Sequence, residues 1–263
     1  MNEFRPTFIS RSLLRVWQRN LLVYRRTWKI NFLPPLLEPL FYLLAFGVGL
    51  AVLVGSVSYH GGEVSYVAFI APALIAVNIM NSAFFENTYA SFVRMYYQKT
   101  FDAMLATPLS LPEIISGEIL WGATKSVIGT GIMMTVISAF GLLHFPHALL
   151  LLPVAFLGGL AFGAVGMLFT SMVPNIETFN LPVFLFVTPM FLFSGTFFPL
   201  DNLPSWAQSF ALALPLTHLV NLTRALSFGR ISGEVAWAVA YLATFVVIFF
   251  PLALWRMQRR LIK

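Results

Sequence analysis

The sequence contains no cysteine among its 263 residues. This absence excludes disulfide bonds, thiolate metal sites and cysteine nucleophiles. Charged residues are also scarce, because they make up only 10% of the chain, whereas they make up about 25% of a typical soluble domain. A soluble fold of this size has too little interior to bury a chain that is 59% hydrophobic. The composition therefore predicts that lipid surrounds much of the protein.

Sequence motifs for chemistry are lacking as well. The four histidines, at positions 60, 144, 147 and 218, are scattered and form no His-Glu-x-x-His metal motif. The segment 117–126 contains two glycines and Lys125, but a phosphate-binding loop needs the lysine directly after the second glycine. Ser194-Gly195 lacks the preceding glycine of an intramembrane serine protease. We therefore expect no catalysis, cofactor or metal in this chain, and a structural hydrogen-bonding role for His218.

Six apolar stretches are long enough to cross a bilayer, which takes about 20 residues. Pro204 and Pro215 divide a further uncharged segment, 202–223, into pieces too short to cross. We therefore predict an all-α integral membrane protein with six transmembrane helices and a re-entrant or interfacial helical hairpin at 203–221, on the outer side between helices 5 and 6. The predicted spans are 33–54, 66–85, 119–143, 148–173, 179–200 and 235–255.

Basic residues are concentrated towards both chain termini. Seven Arg or Lys residues lie between positions 5 and 29, and four lie between 256 and 263. Because positive charge favours the cytoplasmic side, both termini should be cytoplasmic, and this requires an even number of spans. The loop 55–65 and the turn 144–147 contain no Arg or Lys and should lie outside. The net charge of +6 therefore indicates contact with membrane lipid and not with nucleic acid.

The segment that precedes the first span, residues 8–31, has the pattern of an amphipathic helix lying in the membrane interface. We divide the single transmembrane domain accordingly into this interfacial helix (1–32), spans 1–5 (33–200), an outer re-entrant region (201–234) and span 6 with its tail (235–263). The helix either only anchors the chain or moves with the first span. Its apolar face consists of Leu14, Trp17, Leu21, Tyr24 and Trp28.

The longest predicted inner loop, 89–118, contains a short helix at 94–106 that ends before Thr107-Pro108. Ser110 and Glu113 then have the spacing of a capping box, with Pro112 in the first turn of a second helix. A short helix held in the cytoplasm between two spans is a plausible docking surface for a soluble partner.

Three charged residues, Glu38, Glu86 and Lys125, lie at the predicted inner ends of spans. One interpretation is an interfacial salt bridge, or snorkelling in the case of Lys125. The alternative is that Glu38 or Glu86 lines the inner mouth of a translocation path. The aromatic residues of the candidate path are Phe41, Tyr42, Phe84, Phe85, Phe191, Phe193 and Phe197.

Four features together resemble the type-2 ABC transporter permeases, and among them the nodulation protein J branch. The first is the amphipathic helix before a proline-rich span. The others are the segment 101–118, the segment 193–204, and Leu214-Pro-Leu-Thr-His218 followed by Arg224. The resemblance covers essentially the whole chain. It implies the membrane-spanning subunit of an ATP-driven exporter in the bacterial cytoplasmic (inner) membrane, for a lipid, lipid-linked oligosaccharide, polysaccharide or drug.

The resemblance also implies partners and roles for residues. This permease would form a homodimer and bind two copies of a separate ABC ATPase, which would bind the ATP and Mg²⁺. A hairpin containing Pro204, Trp206, Pro215 and His218 would gate the outer exit. The path would run between the two permeases along spans 1, 2 and 5. The residues of the implied ATPase-docking (coupling) helix are Tyr96, Tyr97, Lys99, Thr100, Phe101, Asp102, Met104, Leu105, Thr107 and Pro108.

Two other classes of function compete with this interpretation. A passive membrane channel or scaffold would need no ATPase, and the docking-like inner loop argues against it. A membrane-bound enzyme acting on lipid would need an acid, a base or a metal site, and no such group of residues is visible in the sequence.

Overall fold

The computed structural model describes residues 10–50, 54–59, 62–229 and 233–261. In this part of the chain, six helices are long and apolar enough to cross a membrane. The prediction of an all-α membrane protein with six spans is therefore confirmed. The candidate spans are Leu13–Gly47, Tyr66–Tyr97, Leu111–Ala139, His147–Met172, Ile176–Phe193 and Gly233–Leu261.

The first half of the described chain contains helices α1 to α4 and a small β-hairpin. Helix α1 is followed by a π-helical segment, Ala45–Leu50, and α2 continues through two further π-helical segments, Glu86–Ala90 and Val93–Tyr97. Strands β1 and β2 pair in antiparallel fashion. The bounds are Leu13–Leu44 for α1, Ser56–Tyr59 for β1, Gly62–Ser65 for β2, Tyr66–Phe85 for α2, Thr100–Leu105 for α3 and Leu111–Ala139 for α4.

The second half of the described chain contains helices α5 to α9. A 3₁₀ turn, His147–Leu150, leads into α5, and another, Ile176–Phe179, leads into α6. Helix α6 (180–193) consists of two α-helical pieces, Asn180–Pro182 and Thr188–Phe193, joined by the π-helical segment Val183–Val187. The remaining bounds are Leu151–Met172 for α5, Ser205–Leu212 for α7, Pro215–Ser227 for α8 and Gly233–Leu261 for α9.

The N-terminal segment forms the predicted helix, but no break separates it from the first span. Helix α1 continues through Pro34, Pro35 and Pro39. One side of its first half packs on α4: Val16 and Asn20 are buried, and Trp17 Nε1 donates a hydrogen bond of 2.9 Å to Thr124 Oγ1. Leu14 and Trp28 of the predicted apolar face are about half exposed. Since the helix is continuous, a tilt of either half changes the position of the other.

The loop predicted at 89–118 is mostly helical, because α2 and its π-helical extension end at Tyr97 and α4 begins at Leu111. The capping box at the start of α4 is confirmed. The Ser110 backbone N–H donates a 2.8 Å hydrogen bond to the Glu113 carboxylate. The fifth span ends at Phe193 and not at residue 200, because Gly195 adopts a left-handed conformation with φ of 70° and turns the chain back.

Both described ends of the chain lie at the same end of the bundle. Val16 and Met257 belong to one buried cluster with Phe92 and Leu111. At the opposite end, the 144–147 turn contacts the hairpin formed by α7 and α8, where the His144 N–H donates a 2.9 Å hydrogen bond to the Ser227 carbonyl. We call these the termini end and the hairpin end. This arrangement agrees with the predicted even number of spans.

The small-residue face of α5 packs within the chain. A Cβ atom added to Gly159 would lie 2.6 Å from Ala123 Cα on α4, and one added to Gly163 would lie 2.9 Å from Asn87 Nδ2. Gly159 therefore allows α5 to approach α4 closely, and Gly163 leaves room for Asn87 of the α2 extension. Close approach is the usual role of small residues between membrane helices.

We expect Gly159→Ala to destabilise the protein by about 1–3 kcal/mol, because the new methyl group would overpack the α4–α5 contact. The measurement is the melting temperature of the purified protein in mild detergent. Gly131→Ala on α4 is the matched control, since a Cβ atom at Gly131 would meet no atom within 4 Å. Equal melting temperatures for the two variants would contradict the packing described here.

Candidate functional site

A buried ion-pair network joins three helices near the termini end. The Arg94 guanidinium bridges two carboxylates, with Nη1 at 2.8 Å from Glu86 Oε1 and Nε at 2.8 Å from Glu118 Oε2. Lys125 Nζ lies 2.9 Å from the other Glu86 oxygen, and Asn20 Nδ2 on α1 donates a 2.8 Å hydrogen bond to Glu118 Oε1. We call these five residues the ion-pair network. Two cations thus balance two carboxylates.

Because the Glu118 side chain has no solvent exposure and that of Glu86 only 6%, both carboxylates depend on these partners. The salt-bridge interpretation of Glu86 and Lys125 is consistent with this geometry. Arg94 and Glu118 were not identified from the sequence as partners, although both are charges next to apolar helical segments.

A groove of about 770 Å³ lies between α1 and α2, with part of α4 as its floor. Helix α1 contributes a stripe of side chains at helical spacing from Arg19 to Glu38, and the stripe on α2 and its extension runs from Asn78 to Arg94. Its polar side chains away from the ion-pair network include Thr27, Asn31, Asn78, Asn81 and Ser82, and its aromatic ones are Tyr24, Phe85, Tyr89 and Trp121.

The structure brings three of the nine candidate path residues into this groove, namely Glu38, Phe85 and Glu86. Phe84 points the other way. It is fully buried and packs against Phe169 and Phe186, so it belongs to the core of the chain.

The other five candidate path residues lie elsewhere. Phe41 is 62% exposed on the outer surface of α1. A separate aromatic cluster forms around Phe46, whose ring is 5.6 Å from that of Phe197 and 5.8 Å from that of Tyr42. Phe191 packs on Phe197 at 5.0 Å. The ring of Phe193 contacts that of Phe210 on the hairpin at 5.7 Å. The predicted set is therefore split between the groove, this cluster and the hairpin.

The predicted helix 94–106 is divided at Lys99. This residue has φ of 52°, and this left-handed conformation separates the extension of α2 from α3. Phe101 of α3 is fully buried in a cluster with Phe92, Met95 and Leu111. It was predicted to face a partner, but it anchors α3 to the bundle, and Met104 packs partly against the same cluster.

Most of the other candidate docking residues do lie on the surface. Tyr96 and Tyr97 are more than half exposed, and the side chains of Lys99 and Asp102 form an exposed pair at 3.9 Å. Thr100 is half-buried at the start of α3. We call the exposed set the patch, and it consists of Tyr96, Tyr97, Lys99, Asp102, Leu105, Thr107 and Pro108.

The hairpin has the two short helices that the prolines predicted, with Pro204 directly before α7 and Pro215 as the first residue of α8. His218 Nε2 lies 2.9 Å from the Leu212 carbonyl, and the ring stacks on Tyr241 at 3.9 Å. Trp206 is 67% exposed. The structure thus gives His218 a hydrogen bond and a ring contact, as expected of a structural histidine.

Arg224 fixes the hairpin to the rest of the bundle. The guanidinium is buried and donates hydrogen bonds to the carbonyls of Phe69 at 3.0 Å and Gly195 at 2.7 Å. It also lies 3.7 Å from the centre of the Phe69 ring. The sequence indicated this residue only as part of the family resemblance, because its partners are 155 and 29 residues away along the chain.

The apolar helices and the buried charges between them define a multi-pass membrane protein. The family described as ABC-2 type transporter matches residues 11–228. The chain therefore belongs to this family, and it is a membrane transport subunit of an ABC transporter.

Individual relatives agree with the family assignment. The chain is 38% identical to "Nodulation protein J" of Rhizobium leguminosarum bv. trifolii over 97% of this chain and 95% of that protein. It is 36% identical to "Nodulation protein J" of Rhizobium meliloti (strain 1021) over 94% and 93% of the two chains. It is 24% identical to the "Inner membrane transport permease YadH" of Escherichia coli (strain K12) over 95% of each.

Proposed function

We propose that this chain is the permease of an ATP-driven exporter and forms the path for an amphipathic substrate. The observation that carries the proposal is the physical connection between the patch and the groove. Arg94 lies in the same π-helical segment as Tyr96 and Tyr97 of the patch. Its guanidinium is bound to Glu86, which lines the groove, and to the buried Glu118 of α4. A force on the patch therefore moves the sides of the groove.

The partner of the patch is a separate ABC ATPase. The patch supports this role because it is exposed, contains two neighbouring tyrosines at the end of the α2 extension, and continues onto α3, which Phe101 anchors. Tyrosines are enriched at protein interfaces. Phe101 holds α3 rigidly on the bundle, so a displacement of α3 is transmitted and not absorbed.

The assembly follows the type-2 exporters that the chain resembles. Two copies of this permease form a homodimer, and two ATPase copies bind ATP and Mg²⁺. The protein lies in the bacterial inner membrane with both termini cytoplasmic. ATP closes the ATPase pair, and the resulting shift moves the permease between two discrete arrangements. The hairpin gates the outer exit.

The substrate is amphipathic: a lipid, a lipid-linked oligosaccharide, a polysaccharide or a drug. The composition of the groove supports this class, because its lining contains both amide or hydroxyl side chains and aromatic ones. A cargo with a polar part and an apolar part finds partners for both.

The test is the access of a charged maleimide to a single cysteine in the groove. Because the chain has no native cysteine, Ser82→Cys provides a unique target. Inside-out membrane vesicles from the source bacterium contain the natural partner and expose the cytoplasmic side. Trapping with ATP and vanadate should slow the modification several-fold, because the groove closes on that side. A passive channel or scaffold predicts the same rate with and without nucleotide, and that result would refute the exporter.

A further inference from the structure

The carboxylate of Glu38 lies at one end of the groove. Along α1, it is at the opposite end from Asn20, the residue that this helix contributes to the ion-pair network. The α1 stripe runs from Asn20 to Glu38, which is about 27 Å along a helix that rises 1.5 Å per residue. Glu38 is half-buried between prolines. Its neighbour Asn78 lies well inside the candidate span Tyr66–Tyr97, so the structure places Glu38 deeper in the membrane than the inner end that the sequence predicted. Charge at such a position is costly unless a partner compensates it.

The cations of the groove are engaged elsewhere. Arg94 and Lys125 lie 2.8–2.9 Å from the carboxylates of Glu86 and Glu118. Arg19 is at the opposite end of the α1 stripe, where its Nη1 donates to Asn20 Oδ1 at 2.8 Å. Among the described residues, no lysine, arginine or histidine forms an ion pair with Glu38. Its polar neighbours are neutral groups, the amide of Asn78 and the hydroxyl of Tyr42.

The surroundings of Glu38 favour an organic cation over a metal ion. A bound Ca²⁺ takes about six to eight oxygen ligands at short distances. One carboxylate in a wide groove offers too few. The groove instead provides room for a headgroup, and its lining includes the ring of Phe85, about two helical turns along α2 from Asn78. Aromatic faces attract ammonium groups, and the attraction grows as water is removed.

We propose that Glu38 makes the groove selective for a cargo whose polar part carries a positive charge, such as an organic ammonium. The inference rests on the proposed function, because it assumes that the cargo enters through this groove. The ammonium compensates the Glu38 carboxylate, and the aromatic and amide side chains contact the rest of the headgroup. A neutral or anionic headgroup leaves that carboxylate without a counter-charge.

Tetraphenylphosphonium and tetraphenylborate test this directly, because they share size and shape and differ in the sign of charge. Binding of each is measured by equilibrium dialysis to the full chain in phosphatidylcholine nanodiscs. The wild-type protein should bind tetraphenylphosphonium saturably and tetraphenylborate only as empty nanodiscs do. Glu38→Gln should weaken tetraphenylphosphonium binding by about tenfold or more, since it removes the counter-charge.

Two further variants separate charge recognition from loss of structure. Glu38→Asp keeps the charge and should retain most of the binding. Glu177→Gln is the matched control, because Glu177 is exposed and does not line the groove. It should bind like the wild type. If Glu38→Gln binds tetraphenylphosphonium as well as the wild type does, or if tetraphenylborate binds equally well, the proposal is wrong.

The cation could come from a membrane lipid or from a separate cargo, and the lipid composition distinguishes them. Nanodiscs of digalactosyldiacylglycerol contain no ammonium headgroup. If tetraphenylphosphonium binds more tightly there than in phosphatidylcholine nanodiscs, a lipid ammonium competes for Glu38. If it binds equally well in both, the natural cation comes from a cargo other than the bulk lipid. Since no ATPase is present in these nanodiscs, a loss of charge selectivity would refute the role of Glu38 and leave the exporter proposal standing. The exporter proposal is tested separately by the maleimide modification of Ser82→Cys with ATP and vanadate.

Discussion

Placing proline at Ala103 should abolish productive docking of the ATPase and leave the permease inserted in the membrane. The Ala103 N–H donates a 3.1 Å hydrogen bond to the Lys99 carbonyl, and proline removes this donor in a helix of six residues. Helix α3 would lose its shape while α2 and α4 remain intact. The expected result is loss of most of the ATPase from the purified complex, with loss of ATP-driven transport in inverted vesicles.

Charge reversal at Asp102 tests the same surface without a backbone change. The side chain is 62% exposed, so Asp102→Lys should alter the docking surface and not the fold. Asp201→Lys is the matched control, because Asp201 is also exposed but lies near the hairpin end. Transport that remains unchanged in both Asp102→Lys and Ala103→Pro would rule out the coupling role of α3.

Replacing Arg94 with methionine should be among the most destabilising single changes in the protein. It would leave the Glu118 carboxylate, which has no solvent exposure, and the Glu86 carboxylate without their main counter-charge. Removing one partner of a buried ion pair typically costs about 3–5 kcal/mol. The melting temperature in mild detergent should therefore fall by about 10 °C.

A control and a rescue identify the cause of that loss. Arg25→Met removes an exposed arginine of α1 and should leave the melting temperature unchanged. Glu118→Gln combined with Arg94→Met should recover part of the stability, because the uncompensated buried charge is gone. If Arg94→Met and Arg25→Met melt at the same temperature, the ion-pair network does not stabilise the bundle.

The sequence predicted the features that depend on local pattern. Apolar length determined the six spans, and Ser110 with Glu113 predicted the capping box that begins α4. The prolines at 204 and 215 correctly indicated two short helices. Each of these signals lies within a few residues of the structure that it specifies.

Features that depend on packing between distant segments were missed. Asn20 and Glu118 are 98 residues apart, and they meet only because α1 packs on α4. Phe84 and Phe85 are neighbours in the chain, but a rotation of about 100° per residue directs one into the core and the other into the groove. The break at Lys99 has no glycine to indicate it, and the burial of Phe101 depends on a cluster to which six helices, α1 to α5 and α9, contribute.

The central claim is that a separate ATPase drives this permease through the patch. It is tested most directly by purifying the chain from its native membrane in mild detergent and identifying the proteins that accompany it. The account predicts a soluble protein with a phosphate-binding loop in equal amount, cross-linked efficiently by a single cysteine placed at Tyr97. A chain that purifies alone, and that forms no complex when candidate ATPases are added, would contradict it and favour a passive channel or a scaffold.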